Sequence, residues 1–231
     1  MPRTLATTAA LLVALLATGV ASAAALDGFS EAQLASALRG ALDEGTARAV
    51  AKLGKPDGYL ADPKVRIPLP PALAKSERVL KALGLGKETQ ALVVAMNRAA
   101  EAAVPEAKAV VLDAVKRMTV ADARAILGGP DDAAIAYFER KTRVPLTEKL
   151  TPIVQRATGQ VKLAQASSAL LAKAARYRLI DPKAADLDAW VTRRALDGLY
   201  LTIAEQERAL RQDPLGQSSR LLRDVFGALR R

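Results

Sequence analysis

Apolar side chains recur every three or four positions along most of this chain, which is the spacing of helices that bury one face. The pattern predicts helices at about 30–53, 71–83, 87–103, 119–127, 133–142, 145–158, 160–177, 187–212 and 217–229, and another that starts or kinks at Pro105. No internal repeat is present. The predicted fold class is therefore all-α, a single compact domain of about nine to ten helices with one proline-rich extended segment at residues 61–70.

Two of these helices carry strong start signals. Ser30 and Gln33 are spaced as a capping box, in which each side chain accepts a hydrogen bond from the other residue's backbone N–H. Thr119 and Asp122 have the same spacing. The first helix is expected to stop at Gly54, because glycine commonly ends helices.

Residues 61–70 (ADPKVRIPLP), here called the strap, break the helical pattern. In an extended chain, alternate side chains point to opposite faces, and residues before proline are restricted to extended geometry. A buried lid, whose aliphatic side chains join the core, is one interpretation, and a mobile loop is another. The third is a docking edge for an extended ligand, with a contact surface made of Lys64, Val65, Arg66, Ile67 and Leu69.

A polar triplet interrupts the alanine- and valine-rich stretch at residues 95–108. Asn97 and Glu101 share a helix face, and Arg98 lies three residues before Glu101, within pairing distance. We expect either a structural hydrogen-bond network that ties this helix to a loop, or the polar lining of a pocket with Glu101 as its acid.

The longest predicted helix, 187–212, places Trp190, Leu196, Leu199 and Ile203 on one buried stripe. Gly198 lies in its middle, where glycine costs about 1 kcal/mol relative to alanine. This glycine predicts the close approach of another backbone.

The N-terminus predicts export. Arg3 precedes a short apolar run that ends in the small-residue pattern read by signal peptidase, so residues 1–23 are interpreted as a cleaved signal peptide and 24–231 as the mature domain. Because the chain has no cysteine, it has no lipoprotein attachment site. We therefore expect a periplasmic protein, and no later stretch is long and apolar enough to span a membrane.

The chain has neither histidine nor cysteine, which excludes a Ser-His-Asp hydrolase, a zinc enzyme and a Cys-His protease. No metal site and no cofactor are expected. The formal net charge is +10, but the basic residues form no polybasic block. Because no aromatic residues are interleaved with them, nucleic-acid binding is not favoured. The C-terminal helix, with Arg220, Arg223, Arg230 and Arg231, could contact an anionic membrane, although docking on its own domain is the commoner arrangement.

Several phrases of the sequence occur together in one known family. Five segments, in this order, carry the resemblance: KVRIPLP, MNRAAEAAVPEAK, MTVADARAILGGPDDAAIAYFERKT, LTPIV and VTRRALDGLY. Together they resemble the bacterial exported family catalogued as domain of unknown function 4197. The resemblance runs from about Phe29 to Gly227. It implies one exported helical domain, with no activity, substrate or cofactor attached to it.

Three functions remain open from the sequence. The first is a non-enzymatic periplasmic module that binds a protein, peptide or envelope polymer. The second is a carboxylate-dependent hydrolase or lyase acting on an envelope glycan, which would need Glu101 with Asp113 or Glu106 about 5–10 Å apart. The third is a structural envelope protein, or a homodimer formed through a helical face.

Overall fold

The computed structural model describes residues 28–130, 133–160, 170, 172–174, 176, 186–212 and 220–228. These residues form helices and loops without a β-strand, and the all-α prediction is confirmed. The helices are α1 (Glu31–Leu53), α2 (Pro71–Ala74), α3 (Glu77–Ala82), α4 (Gly86–Ala103), α5 (Lys108–Lys116), α6 (Val120–Leu127), α7 (Ala133–Gln160), α8 (Leu187–Gln212) and α9 (Arg220–Ala228), with a 3₁₀ turn at Val104–Ala107.

Both predicted capping boxes are present. The backbone N–H of Gln33 donates to Ser30 Oγ over 3.2 Å, and the N–H of Ser30 donates to Gln33 Oε1 over 2.8 Å. At α6 the N–H of Asp122 donates to Thr119 Oγ1 over 3.1 Å, and that of Thr119 donates to Asp122 Oδ2 over 3.0 Å. Helix α1 ends at Gly54, as predicted.

The prediction of separate helices at 133–142 and 145–158 was wrong, because α7 runs unbroken through Pro145 and Pro152. Each proline removes one backbone N–H from the helix. Both prolines are exposed, whereas Leu146 and Leu150 are fully buried. The carbonyls that lose their partners therefore face water, and packing of the opposite side holds the helix together.

The helix predicted at 71–83 is divided into α2 and α3. At the junction, the N–H of Lys75 donates to the carbonyl of Pro71, four residues earlier, whereas the N–H of Ser76 donates to the carbonyl of Leu73, only three residues earlier. The backbone of Ser76 is not helical, so the helix is interrupted there. The proposed caps Asp131 and Asp132, and most of the helix predicted at 160–177, lie outside the described residues.

One hydrophobic core joins the described helices. Helix α8 packs against α7 and α1, and α4 packs against α7 and α8. Helices α5 and α6 pack against α1 on one side and α7 on the other. Trp190 is half-buried at the edge of this core, unlike Leu196, Leu199 and Ile203 of the same predicted stripe.

The strap begins as a turn and only then becomes extended. Its first part folds around Asp62, whose backbone oxygen accepts from the N–H of Arg66 over 2.8 Å and whose side chain accepts from the N–H of Lys64 over 3.1 Å. The expected extended segment at 61–70 is therefore shortened to residues 66–70. Aspartate favours such turns because its side chain bonds to the backbone two residues later.

Helix α9 packs against α1, and Val225 is fully buried there. Part of its apolar stripe therefore faces the core of the domain. Across the described residues, no helix is both long and apolar enough to cross a membrane.

Candidate functional site

The strap is fastened to α4 through the side chain of Asn97. Its Oδ1 accepts from the N–H of Ile67 over 2.8 Å, and its Nδ2 donates to the carbonyl of Ile67 over 2.9 Å and to that of Val93 over 2.8 Å. Asn97 is fully buried. The amide thus replaces the strand partner that an extended residue would otherwise need for its two backbone groups.

Glu101, one turn further along α4, holds the loop that precedes the strap. Its Oε1 accepts from the backbone N–H groups of Tyr59 and Leu60 over 3.1 and 3.2 Å, and its Oε2 accepts from Arg98 over 2.7 Å. Arg98 also bonds to Asp57 Oδ1 over 2.7 Å, and these bonds, that to Glu101 first, raise the arginine's pKa. Asp57 has a positive φ of 67°, so the arginine holds a residue in the left-handed region.

Helix α8 forms the other support of this loop and strap. The hydroxyl of Tyr59 donates to the carbonyl of Ala195 over 2.6 Å, and Trp190 Nε1 donates to the carbonyl of Pro68 over 3.0 Å. A Cβ added at Gly198 would lie 2.7 Å from the ring of Tyr59 and 3.2 Å from Val65 Cβ. The close approach predicted at Gly198 is therefore present, but side chains make it rather than another backbone.

These contacts place the predicted strap residues on two faces. Val65, Ile67 and Leu69 are buried in the core, as the lid interpretation expected. Lys64 and Arg66 are exposed, and Lys64 pairs with Glu205 over 2.6 Å. The docking role of the strap stays a prediction. Of the residues predicted for the contact surface, only Arg66 and the paired Lys64 are exposed.

The carboxylates considered for catalysis have separate surroundings. Both oxygens of Glu101 are occupied within its network. Glu106 is exposed, and Asp113 pairs with Arg117 over 2.7 Å. Among the described residues, no group of three or more acidic side chains converges as metal ligands would.

A groove lies between α5, α6 and α7. It encloses about 710 Å³, which lies within the range typical of ligand sites. Its lining consists of Ala109, Val110, Asp113, Ala114, Arg117, Thr119, Asp122, Tyr137, Lys141, Thr142, Pro145 and Lys149. None of these residues is predicted from the sequence to bind a ligand, and Asp113 is considered there only as a catalytic partner of Glu101.

The acidic groups in the groove wall are already bonded. Asp113 has its ion pair with Arg117, and Asp122 is held by the capping box of α6. The hydrogen bonds from the backbone and then the side chain of Thr119 lower the pKa of Asp122. Burial, followed by the nearby charge of Asp122, raises the pKa of Tyr137, so this tyrosine stays a neutral hydroxyl.

Two lysines of α7 border the groove and form no ion pair among the described residues. Lys141 and Lys149 are exposed. Lys141 lies 5.9 Å from the ring centre of Tyr137, and its charge contributes, after the hydrogen bonds from Thr119, to the lowered pKa of Asp122. Pro145 lies between them on the same face, opposite Val110 and Ala114 of α5. The groove therefore combines the apolar residues Val110, Ala114 and Pro145, here called its apolar floor, with two lysines that form no ion pair.

The spacing Lys141, Pro145 and Lys149 is a visible i, i+4, i+8 pattern. The pattern was not recognised in the sequence because residues 133–142 and 145–158 are predicted there as different helices. A single continuous helix would have placed the three residues on one face.

Comparison with known proteins gives a family but no characterised relative. No curated protein and no solved structure gives a significant match to this chain. A protein-family comparison matches residues 28–227, which include the strap, the Asn97 and Glu101 network and the whole groove. The chain therefore belongs to the family described as protein of unknown function (DUF4197).

Proposed function

We propose that this protein is an exported, periplasmic binding module of the cell envelope and that its ligand lies in the groove between α5 and α7. The N-terminal sequence supports export through a signal peptide cleaved after Ala23. The groove is the observation that supports binding, because it has the volume of a ligand site, an apolar floor and two lysines without an ion pair.

The strap supports this function indirectly. A buried hydrogen bond from Ile67 fixes it to Asn97 of α4, and an exposed one fixes it to Trp190 of α8. Its aliphatic side chains belong to the core. A scaffold that is already rigid loses less conformational entropy when a ligand binds to one of its surfaces. Lys64 and Arg66, both exposed on the strap, would add a second contact surface.

Catalysis by carboxylates on an envelope glycan has weaker support. Such chemistry needs a second carboxylate and an acid of raised pKa. In the groove, the pKa of Asp122 is lowered instead and Asp113 is bound to Arg117. Both carboxylate oxygens of Glu101 already accept hydrogen bonds, and those to Oε1 hold the loop at Tyr59 and Leu60.

Hydrogen–deuterium exchange of the mature chain, alone and with a periplasmic extract, tests the binding proposal. We expect protection of peptides covering 108–122 and 137–149, with little change in 61–77. The matched variant is Ala109→Trp, because Ala109 is exposed and lines the groove, so a larger side chain fills the groove without entering the core. Equal protection in this variant, or none in either protein, would refute the proposed site.

Export has its own test. Expression of the full chain with its natural N-terminus should give a periplasmic product whose intact mass matches a chain that begins at Ala24. A product that keeps residues 1–23, or that stays in the cytoplasm, would contradict the export part of the proposal.

A further inference from the structure

We propose that the groove binds an extended acidic peptide, with one carboxylate at Lys141 and a second at Lys149. This inference rests on the proposed function and specifies the chemistry of the ligand. It follows from three observations, which are the two lysines without an ion pair, their spacing and the surface between them.

The charged residues that line the groove sum to a net charge of +1, since Arg117, Lys141 and Lys149 face the two carboxylates Asp113 and Asp122. Arg117 pairs with Asp113, whereas Asp122 Oδ2 accepts hydrogen bonds from Thr119 and keeps its charge, which the charge of Lys141 helps to stabilise. Lys141 and Lys149 form no ion pair among the described residues. A cation beside an apolar floor favours an anionic partner over a neutral or basic one, because like charges repel.

The spacing favours two anionic groups on one elongated ligand. Lys141 and Lys149 are eight residues apart on one helix, which corresponds to about 12 Å along its axis. In an extended peptide, residues i and i+4 lie on the same face about 13 Å apart. Two acidic residues at this spacing would therefore each reach one lysine.

The surface between the lysines fits the middle of such a peptide. Pro145 lies between the two lysines on α7, and Val110 and Ala114 of α5 belong to the same lining. Residue i+2 of the peptide points to the same face as i and i+4, so a small aliphatic side chain there would contact the apolar floor. The preferred pattern is acidic, any, aliphatic, any, acidic.

Blocked five-residue peptides carrying a neutral fluorophore test this pattern by fluorescence anisotropy. The probe is Glu-Ala-Val-Ala-Glu, and its matched neutral control is Gln-Ala-Val-Ala-Gln. We expect the neutral peptide to bind about tenfold more weakly, and raised salt to reduce binding of the acidic peptide only, because salt screens exposed charges.

Variants of the protein locate the contacts. Lys141→Gln and Lys149→Gln should each weaken the acidic peptide about two- to fivefold and leave the neutral peptide unaffected. Lys75→Gln is the control for net charge, because Lys75 is exposed and lies outside the groove. Ala109→Trp should abolish binding of both peptides.

The outcomes separate this inference from the proposed function. Equal binding of the two peptides, lost in Ala109→Trp, would overturn the acidic specificity and keep the groove as a binding site. Binding of anionic phospholipid vesicles but not of the acidic peptide would identify a membrane ligand instead. No peptide binding, together with no protection by periplasmic extract, would refute both proposals.

Discussion

Replacing Asn97 by alanine is the sharpest test of how the strap is held. The substitution removes the three hydrogen bonds of the side chain and leaves the N–H and the carbonyl of Ile67 without their partner. Each unmet buried polar group costs about 1–3 kcal/mol, while the alanine saves the cost of burying an amide. We expect the free energy of unfolding to fall by about 2–3 kcal/mol, a large share of the 5–15 kcal/mol typical of a domain.

Urea denaturation followed by circular dichroism measures this loss, and hydrogen exchange shows where it acts. If opening is confined to the strap, 2–3 kcal/mol corresponds to about a 30- to 150-fold faster exchange in the peptide covering 61–77. The loss should concentrate there, because the strap is the segment that Asn97 bonds outside its own helix.

Thr89→Val is the matched control on the same helix. Thr89 is buried, but its hydroxyl bonds only to the carbonyl of Leu85, which already accepts from the backbone N–H of Thr89. We expect its loss to stay below about 1 kcal/mol. If Asn97→Ala costs no more than this control, with unchanged exchange in 61–77, burial of aliphatic side chains alone holds the strap and the reasoning is refuted.

Three further predictions follow from local geometry. Gly198→Ala should destabilise the fold by about 1–3 kcal/mol despite its better helix propensity, since its Cβ would lie 2.7 Å from the ring of Tyr59; thermal unfolding measures this. Thr119→Val should raise the pKa of Asp122 in a carboxyl NMR titration. The lowered pKa stabilises the fold above the pKa of the unfolded chain, and that contribution is lost as pH falls through the folded value, so the variant should lose less stability on acidification. Pro152→Ala should raise stability by about 1–2 kcal/mol, because it restores a helical hydrogen bond at an exposed site.

Each of these predictions has an opposite outcome that contradicts it. For the glycine, Gly227→Ala is the comparison. Among the described residues, no atom outside its own helix backbone and chain neighbours lies within 4 Å of the added Cβ, so the change should be neutral or stabilising. A Gly198→Ala protein as stable as this control would mean that the tyrosine ring moves freely. An unchanged carboxyl titration in Thr119→Val, or a lower melting temperature in Pro152→Ala, would likewise contradict the corresponding argument.

Local patterns predicted much of the secondary structure because their interactions span only a few residues. The pair Ser30 and Gln33 and the pair Thr119 and Asp122 close hydrogen bonds within a single turn, so the sequence identifies them directly. The continuity of α7 was missed for the opposite reason. The penalty of Pro145 is local, whereas the packing that outweighs it comes from distant helices.

The candidate site was predictable only in part. The polar triplet on α4 showed that a network or a pocket had to exist, since buried polar groups need partners. The partners themselves, the N–H groups of Tyr59 and Leu60, lie about forty residues earlier and carry no pattern that marks them. Only the tertiary structure shows which loop Glu101 supports.

Local patterns are enough to predict an all-α fold without histidine or cysteine chemistry, the ends of several helices and the alternation of the strap. The burial of Val65, Ile67 and Leu69, and the groove formed by residues 109–149, become visible only when the helices are packed together. The difference lies in the range of the interactions. Capping and side-chain alternation act over a few residues, whereas a groove exists only where separate helices pack and leave charged side chains such as Lys141 and Lys149 unpaired.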